Sequence, residues 1–509
     1  MKNYTRNSYQ ILIFSTFILI NVFVIFGISK VLSYFNKGAD RSTMLKVAED
    51  TKNFYMPKFS WINTKNPGRV MEKQTMVDLK RDYLHAWYLR FMSFETNTTK
   101  GIEDYYTQNA RKNLQKIVAE NKRQNIRTNG TTLEHAIDIH FYSEDGQLIA
   151  FTDRNVKEYQ QVFKNDKMLF ENIGYYSYKV VMLKEDGYWR IRHMVKTKST
   201  TSKTNSTNTA NQKLYPGNFR YKGINYYPQN SAWNMFGERF DKEIISKDFS
   251  LIAEQGLNSI RIFIPYHDFG KSDIPSSKTE QLKTLLQIAE DNGLKVIVTL
   301  FDSYGDYKVI DWSITQRHLE QIVTPFITNP TILAWDIKNE PDLDFKSRKK
   351  ENVLAWLRIT VNYLREIDPN HQITIGWSSS KVAHILHNEL DFISYHYYGK
   401  PKNFIKDYTS LKEIIPNKKL VLQEFGASSD FGFWNPFGKN RTKQEHFYRD
   451  FQKILSENSI DYLSWTLYDF TSIPDIVVGV LPWRKNRQKN FGFIDTDGNE
   501  KPAFEYISK

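Results

Sequence analysis

Residues 333–342 read L-A-W-D-I-K-N-E-P-D, and this stretch decides the architecture. A short, mainly apolar run from Leu333 to Ile337 stops at a polar cluster centred on Asn339-Glu340-Pro341. Such a run suits a strand buried on both faces, as in a parallel sheet. Pro341 has no N–H to give a ladder, so Glu340 is expected at the carboxyl end of the strand. Residues 419–426, K-L-V-L-Q-E-F-G, have the same design and deliver Glu424. In a barrel of alternating strands and helices, that end is where reactive groups gather. Two carboxylates so placed are what cleavage of a glycosidic bond requires.

Working outward, further short apolar strands are expected at 223–228, 259–265, 295–301, 373–377, 392–398 and 462–468. Helical patterns fall between them, for example at 241–255, 279–292 and 348–367. Eight strands in strict alternation over about 290 residues match the count and size of a (β/α)8 TIM barrel. An open doubly wound sheet would carry a glycine-rich phosphate turn after its first strand, and Gly223-Ile224-Asn225 is not one. The fold class read from the sequence is α/β, with the barrel over residues 214–509.

The barrel resembles the clan of retaining glycoside hydrolases that carry two carboxylates at the ends of strands four and seven. It is closest to the family five cellulase and mannanase type, with some family two character. The matching motifs are Arg261 in N-S-I-R-I-F-I-P, Asn339-Glu340-Pro341, His396 and Tyr398 in Y-H-Y-Y-G, Glu424 in Q-E-F-G, and Trp465 in S-W-T-L-Y-D-F. The closing run N-F-G-F-I-D-T-D-G-N-E-K-P-A-F also fits. The resemblance implies Glu340 as general acid/base and Glu424 as nucleophile. It implies that Arg261 orients Glu424, that Asn339 binds the sugar 2-hydroxyl, and that His396 and Tyr398 position nucleophile and substrate. Trp465 would floor the sugar site. Mutual repulsion between the carboxylates is expected to keep the acid protonated. His267, Asp302, Trp377, Trp434 and Trp483 fall on expected mouth loops as candidate subsite residues. Asp302 stands where many family five members carry a His, which leaves the sugar open. No metal or organic cofactor is implied.

The rest of the chain frames this barrel. Of 509 residues, none is cysteine, which excludes disulfides and thiolate chemistry. The net charge of +13 resembles a nucleic-acid signal until it is divided. Residues 214–509 hold 37 basic and 37 acidic groups, so the entire excess lies in residues 1–213. That placement argues against nucleic acid and for a solvated surface, or for attraction to anionic lipid or an acidic envelope polymer. Residues 11–28 are uncharged and just long enough to span a bilayer. They are followed by Lys30, Tyr34 and Phe35 rather than a cleavage site. The expectation is a single anchor within residues 1–36, with the bulk of the chain extracytoplasmic.

Residues 37–196 are expected to form a small α+β domain. Helical patterns at 71–94 and 102–121 precede strands at 133–142, 148–152, 175–184 and 188–195. The ending K-E-D-G-Y-W-R-I-R-H-M resembles the last hairpin of nuclear transport factor 2-like domains. That resemblance implies a spacer or a docking module for an envelope or export-complex protein, with His85, His135, His140 and His193 as ordinary histidines. Residues 197–213 read as a flexible polar linker. The leading functional expectation is a membrane-anchored retaining glycosidase of β-linked polysaccharide or oligosaccharide. The alternatives are a transglycosylase remodelling an exopolysaccharide and a non-catalytic glycan-binding or scaffold protein.

Overall fold

The computed structural model describes residues 55–64, 69–198, 219–430, 440–479 and 481–509. The expected anchor, most of the expected linker, and Trp434 lie outside the described residues. No described helix is long and apolar enough to cross a membrane.

The first domain opens with strand β1 (Lys58–Asn63), helix α1 (Lys73–Thr96) and helix α2 (Gln108–Arg123). Strands β2 (Ile126–Tyr142), β3 (Leu148–Lys164), β4 (Lys167–Glu185) and β5 (Tyr188–Lys198) follow. The sheet order is β1-β2-β3-β4-β5, with β1 parallel to β2 and the remaining pairs antiparallel. The apolar face of α1 covers the sheet: Tyr83, Trp87 and Phe91 pack with Phe151, Tyr178 and Trp189. This is the expected α+β layout with two differences. The strands β3 and β4 run much further than their apolar segments, because Asn165 and Asp166, both at positive φ, supply a tight hairpin turn. Strand β1 had too little alternation to register; it sits at the sheet edge with mostly half-exposed and exposed residues.

The second domain is the (β/α)8 barrel. Its strands are β6 (Lys222–Asn225), β7 (Ser259–Pro265), β8 (Lys295–Asp302), β9 (Ile332–Asn339), β10 (Gln372–Trp377), β11 (Ile393–Tyr397), β12 (Leu420–Phe425) and β13 (Asp461–Ser464). They close in the order β6 to β13, with every neighbouring pair parallel. The surrounding helices include α3 (Lys242–Glu254), α4 (Ser276–Asp291), α5 (Trp312–Val323), α6 (Lys350–Ile367), α7 (Pro401–Ile414), α8 (Arg441–Glu457) and α9 (Pro482–Lys489). The first and last strands are shorter than their apolar runs. Tyr226, Tyr227, Trp465 and Leu467 lie past the strand ends and are buried, so hydrophobicity there reports burial more than strand length.

The two domains pack directly on each other. Tyr159 of β3 meets Trp312 at the start of α5, ring centroids 4.4 Å apart. Lys157 reaches Glu366 at 3.1 Å, and the backbone N–H of Met56 donates to Ser313 Oγ at 2.8 Å. Ile310, in the loop after β8, is buried in the core of the α+β domain. That loop leaves the mouth end of the barrel, so the first domain buttresses a segment that begins beside Asp302.

Candidate active site

The centre of the mouth is Arg261, the third residue of β7, fully buried on the barrel interior. A buried guanidinium is tolerable only when its donors are used and its charge is met. Here Nε donates to Thr299 Oγ1 and to Asp336 Oδ2, each at 3.0 Å. Nη2 donates to Asp336 Oδ2 at 2.6 Å and Asn339 Oδ1 at 2.9 Å. Nη1 donates to Asn225 Oδ1 and Glu424 Oε2, each at 3.2 Å. One side chain therefore ties β6, β8, β9 and β12 together at their carboxyl ends. Its nearest carboxylate is Asp336, with Glu424 the second, so Arg261 orients Glu424 as a shared partner.

Room for this network depends on Gly376 in β10. A Cβ there would stand 2.5 Å from Gln423 Oε1 and 2.9 Å from Arg261 Nη2. The Gly376 carbonyl also accepts from the backbone N–H of Glu340 at 2.7 Å. Glu340 lies one residue past β9 in the left-handed region, φ 47°, between Asn339 and Pro341. A non-glycine residue so held costs on the order of 1–3 kcal/mol and persists only where its surroundings impose it. The consequence is that its carboxyl turns across the mouth toward β11.

There His396 Nδ1 lies 2.8 Å from Glu340 Oε1, and its Nε2 lies 3.8 Å from Glu424 Oε2. The Tyr398 hydroxyl donates to Glu424 Oε1. One oxygen of Glu340, a ring nitrogen of His396 and one oxygen of Glu424 all fall within 4.8 Å of one another. Retaining glycosidases hold their two carboxyls about 5–5.5 Å apart, and inverting enzymes hold them about 6.5–9.5 Å apart. The spacing matches the first class. The same three donor atoms are also close enough to hold a cation, but the Arg261 guanidinium already supplies positive charge on the Glu424 side.

Protonation differs from the sequence expectation. Burial would raise the Glu340 carboxyl, but the hydrogen bond and charge of His396, helped by Arg261 and Lys338, hold it below the usual range. Burial would lower His396, but the charge of Glu424 and the bond to Glu340 raise it. Repulsion between carboxylates thus does not keep the proton on Glu340 in the resting site. The two directions together favour a proton shared by Glu340 and His396, with the imidazole the stronger base.

These groups open onto a cleft of about 770 Å³. Trp465 and Trp233 line its floor, ring centroids 5.9 Å apart, with Phe263 6.1 Å from Trp465. Trp465 Nε1 is buried without a partner. Asn339 lines the cleft with Oδ1 committed to Arg261, leaving its NH2 for a ligand. Asp302 lines it as well, buried beside Lys338, and burial pushes its carboxyl up.

The other subsite candidates are placed elsewhere. Trp377 is fully buried in the core at the end of β10, near Phe345, because an inward aromatic at a strand end can fill the barrel as readily as line its mouth. His267 is exposed on the turn after β7, against Tyr266, and does not line the cleft. Trp483 is 48% exposed on α9, off the lining face. Sequence reading missed Asp336, Asn225, Thr299, Trp233, Lys338 and the arginines of α9. Period-two alternation back from Glu340 through Lys338 to Asp336 was the available signal for two of these.

Residues 221–471, just under half of the chain, match the family model described as cellulase (glycosyl hydrolase family 5). Mannan endo-1,4-beta-mannosidase A of Podospora anserina is 25% identical over 195 residues, covering 30% of this chain and 52% of that protein. Beta-glucuronidase of Sus scrofa is 22% identical over 279 residues, covering 50% and 38%. Among solved structures, an exo-beta-1,4-mannosidase from Opitutaceae bacterium strain TAV5 has 18% identity and a TM-score of 0.46, covering 57% of this chain and 58% of that one. The chain spans about half the length of the curated relatives it matches.

Proposed function

We propose that the barrel is a glycoside hydrolase domain and the protein a retaining glycosidase acting on a β-linked glycan of the glucan or mannan type. The observation that carries this reading is the pair of carboxylate oxygens within 4.8 Å of each other at the mouth, with Arg261 and His396 between and behind them. Glu424 attacks the anomeric carbon as the bond to the leaving oxygen breaks. The leaving oxygen takes the proton held by the Glu340–His396 pair, delivered through Glu340. Water then attacks the glycosyl–Glu424 ester, Glu340 accepts its proton, and the pair is restored. Arg261 and the Tyr398 hydroxyl stabilise Glu424 as carboxylate, before attack and as it leaves. The Asn339 amide faces the sugar, and Trp465 offers an aromatic face and a free indole N–H.

The mannosidase names among the relatives support a β-1,4-linked substrate. The uncharged run at 11–28 supports an anchored enzyme with its bulk outside the cytoplasmic membrane. The basic α+β domain, of nuclear transport factor 2-like order, serves in this reading as a buttress and docking module. The direct test is Glu424→Gly. Turnover of β-linked oligosaccharides should fall by about 10⁴-fold or more and recover in part with azide as an external nucleophile. Unchanged turnover in that variant contradicts the assignment.

A further inference from the structure

One wall of the cleft is formed by α9, P-W-R-K-N-R-Q-K, through Arg484, Arg487 and Gln488. Their spacing of three and four residues puts them on a single helical face. Both arginine side chains are exposed, and among the described residues neither forms an ion pair or a side-chain hydrogen bond. Elsewhere in the cleft the charges are engaged. Lys338 reaches Asp344 Oδ2 at 3.3 Å, and the Tyr307 hydroxyl donates to the same carboxylate. Glu424 is held by Arg261 and Tyr398, and Glu340 by His396. Lys485, on the same helix but off the lining face, pairs with Asp475.

The barrel carries no net charge, so two guanidiniums without a partner among the described residues, lining the same cleft as the reacting carboxylates, are a local excess. A neutral pyranose presents hydroxyls, for which amides, aromatics and backbone groups suffice. A guanidinium offers two parallel N–H donors and a fixed charge, the complement of a carboxylate, sulfate or phosphate. Two like charges one helical turn apart also repel, a small cost that an anion bound between them removes.

We infer that α9 reads an anionic group on the glycan, so that the substrate is an acidic β-linked glycan bearing carboxylate, sulfate or phosphate close to the scissile bond. This rests on the glycosidase reading and narrows its substrate class. Asp302 and Lys338 then contact sugar hydroxyls, and the charge is met by Arg484 and Arg487.

The test uses the full-length chain and matched substrates: β-1,4-linked manno- and cello-oligosaccharides, the same oligosaccharides oxidised at C6 to uronates, and their 6-O-sulfated and 6-O-phosphorylated forms. At low salt, at least one anionic form should exceed its neutral parent in kcat/KM by tenfold or more. The form that does so identifies the group. Arg484→Ala and Arg487→Ala should each cut that preference several-fold, and Arg484→Glu/Arg487→Glu should reverse it. Raising the salt should shrink the preference, as expected for exposed charges. A protein that cleaves neutral parents at least as well as every anionic form overturns this inference and leaves the glycosidase reading standing. Equal losses on both classes in the arginine variants also overturn it. A protein that cleaves none of these substrates overturns both readings.

Discussion

Two of the buried histidine–carboxylate pairs in this molecule look alike and do different work. In the α+β domain, His135 Nδ1 lies 2.6 Å from Asp153 Oδ2, and His135 Nε2 lies 2.6 Å from Thr132 Oγ1. Hydroxyl, imidazole and carboxylate in line are the elements of a nucleophilic triad. Every member is buried, however, and both ends are closed: Tyr83 donates to Asp153 at 2.8 Å, and Tyr55 bonds Thr132. The hydroxyl that would attack is already used, so this is a satisfied polar core. In the barrel, His396 bonds Glu340 at 2.8 Å, but its Nε2 has no hydrogen-bond partner among the described residues and the carboxylates open on a cleft. The lesson is that such a constellation becomes chemistry only with access and an unfilled valence.

Substituting each histidine should separate the two most widely. His396→Asn should lower kcat by about 10²–10⁴-fold, the range for loss of a positioned proton-transfer partner. His135→Asn should leave kcat intact and cost about 2–4 kcal/mol of stability by stranding a buried carboxylate. The pH profile sharpens this contrast. His396 is raised, so the proton of the pair is lost, and activity with it, as pH rises through a value above the ordinary imidazole range. In His396→Asn the remaining acid is the Glu340 carboxyl alone, so the basic limb should move to lower pH. A basic limb unmoved in the residual activity breaks the account of the shared proton.

A second test acts on the barrel without touching a reacting group. Gly376→Ala should displace Gln423 and Arg261 and cost about 1–3 kcal/mol by overpacking. Turnover should fall well beyond what the lost stability explains, because Glu424 and Asn339 lose their common support. Thermal unfolding and kinetics measured on the same sample check both. The smallest effect belongs to the domain interface. Glu366→Ala removes a carboxylate that is 54% exposed and leaves Glu134 3.6 Å from the Lys157 ammonium, so the loss should stay within about 1 kcal/mol, read as a small shift in Tm.

What the sequence disclosed follows the same division. Strands at 259–265 and 420–425 matched at both ends, because short apolar runs bounded by polar and proline residues specify buried parallel strands. Glu340, Glu424, Arg261, His396 and Tyr398 were legible from their motifs and do converge. Asp336 was not, since one acid inside an apolar run gains meaning only when Arg261 arrives from a strand distant in sequence. Trp377 and His267 were misplaced because residue type alone does not separate a core position from the mouth. No motif marked the α9 arginines, and only the fold sets that helix on the cleft.

The central claim is that Glu424 forms a covalent bond to the sugar. Incubation with a 2-deoxy-2-fluoro glycosyl fluoride, which slows release of the intermediate, followed by peptide mass mapping, tests it directly. The account predicts one added glycosyl mass on the peptide containing residues 419–426, located at Glu424 and absent from Glu424→Gly. A label on another residue, or turnover of the reagent with no covalent adduct, would contradict it.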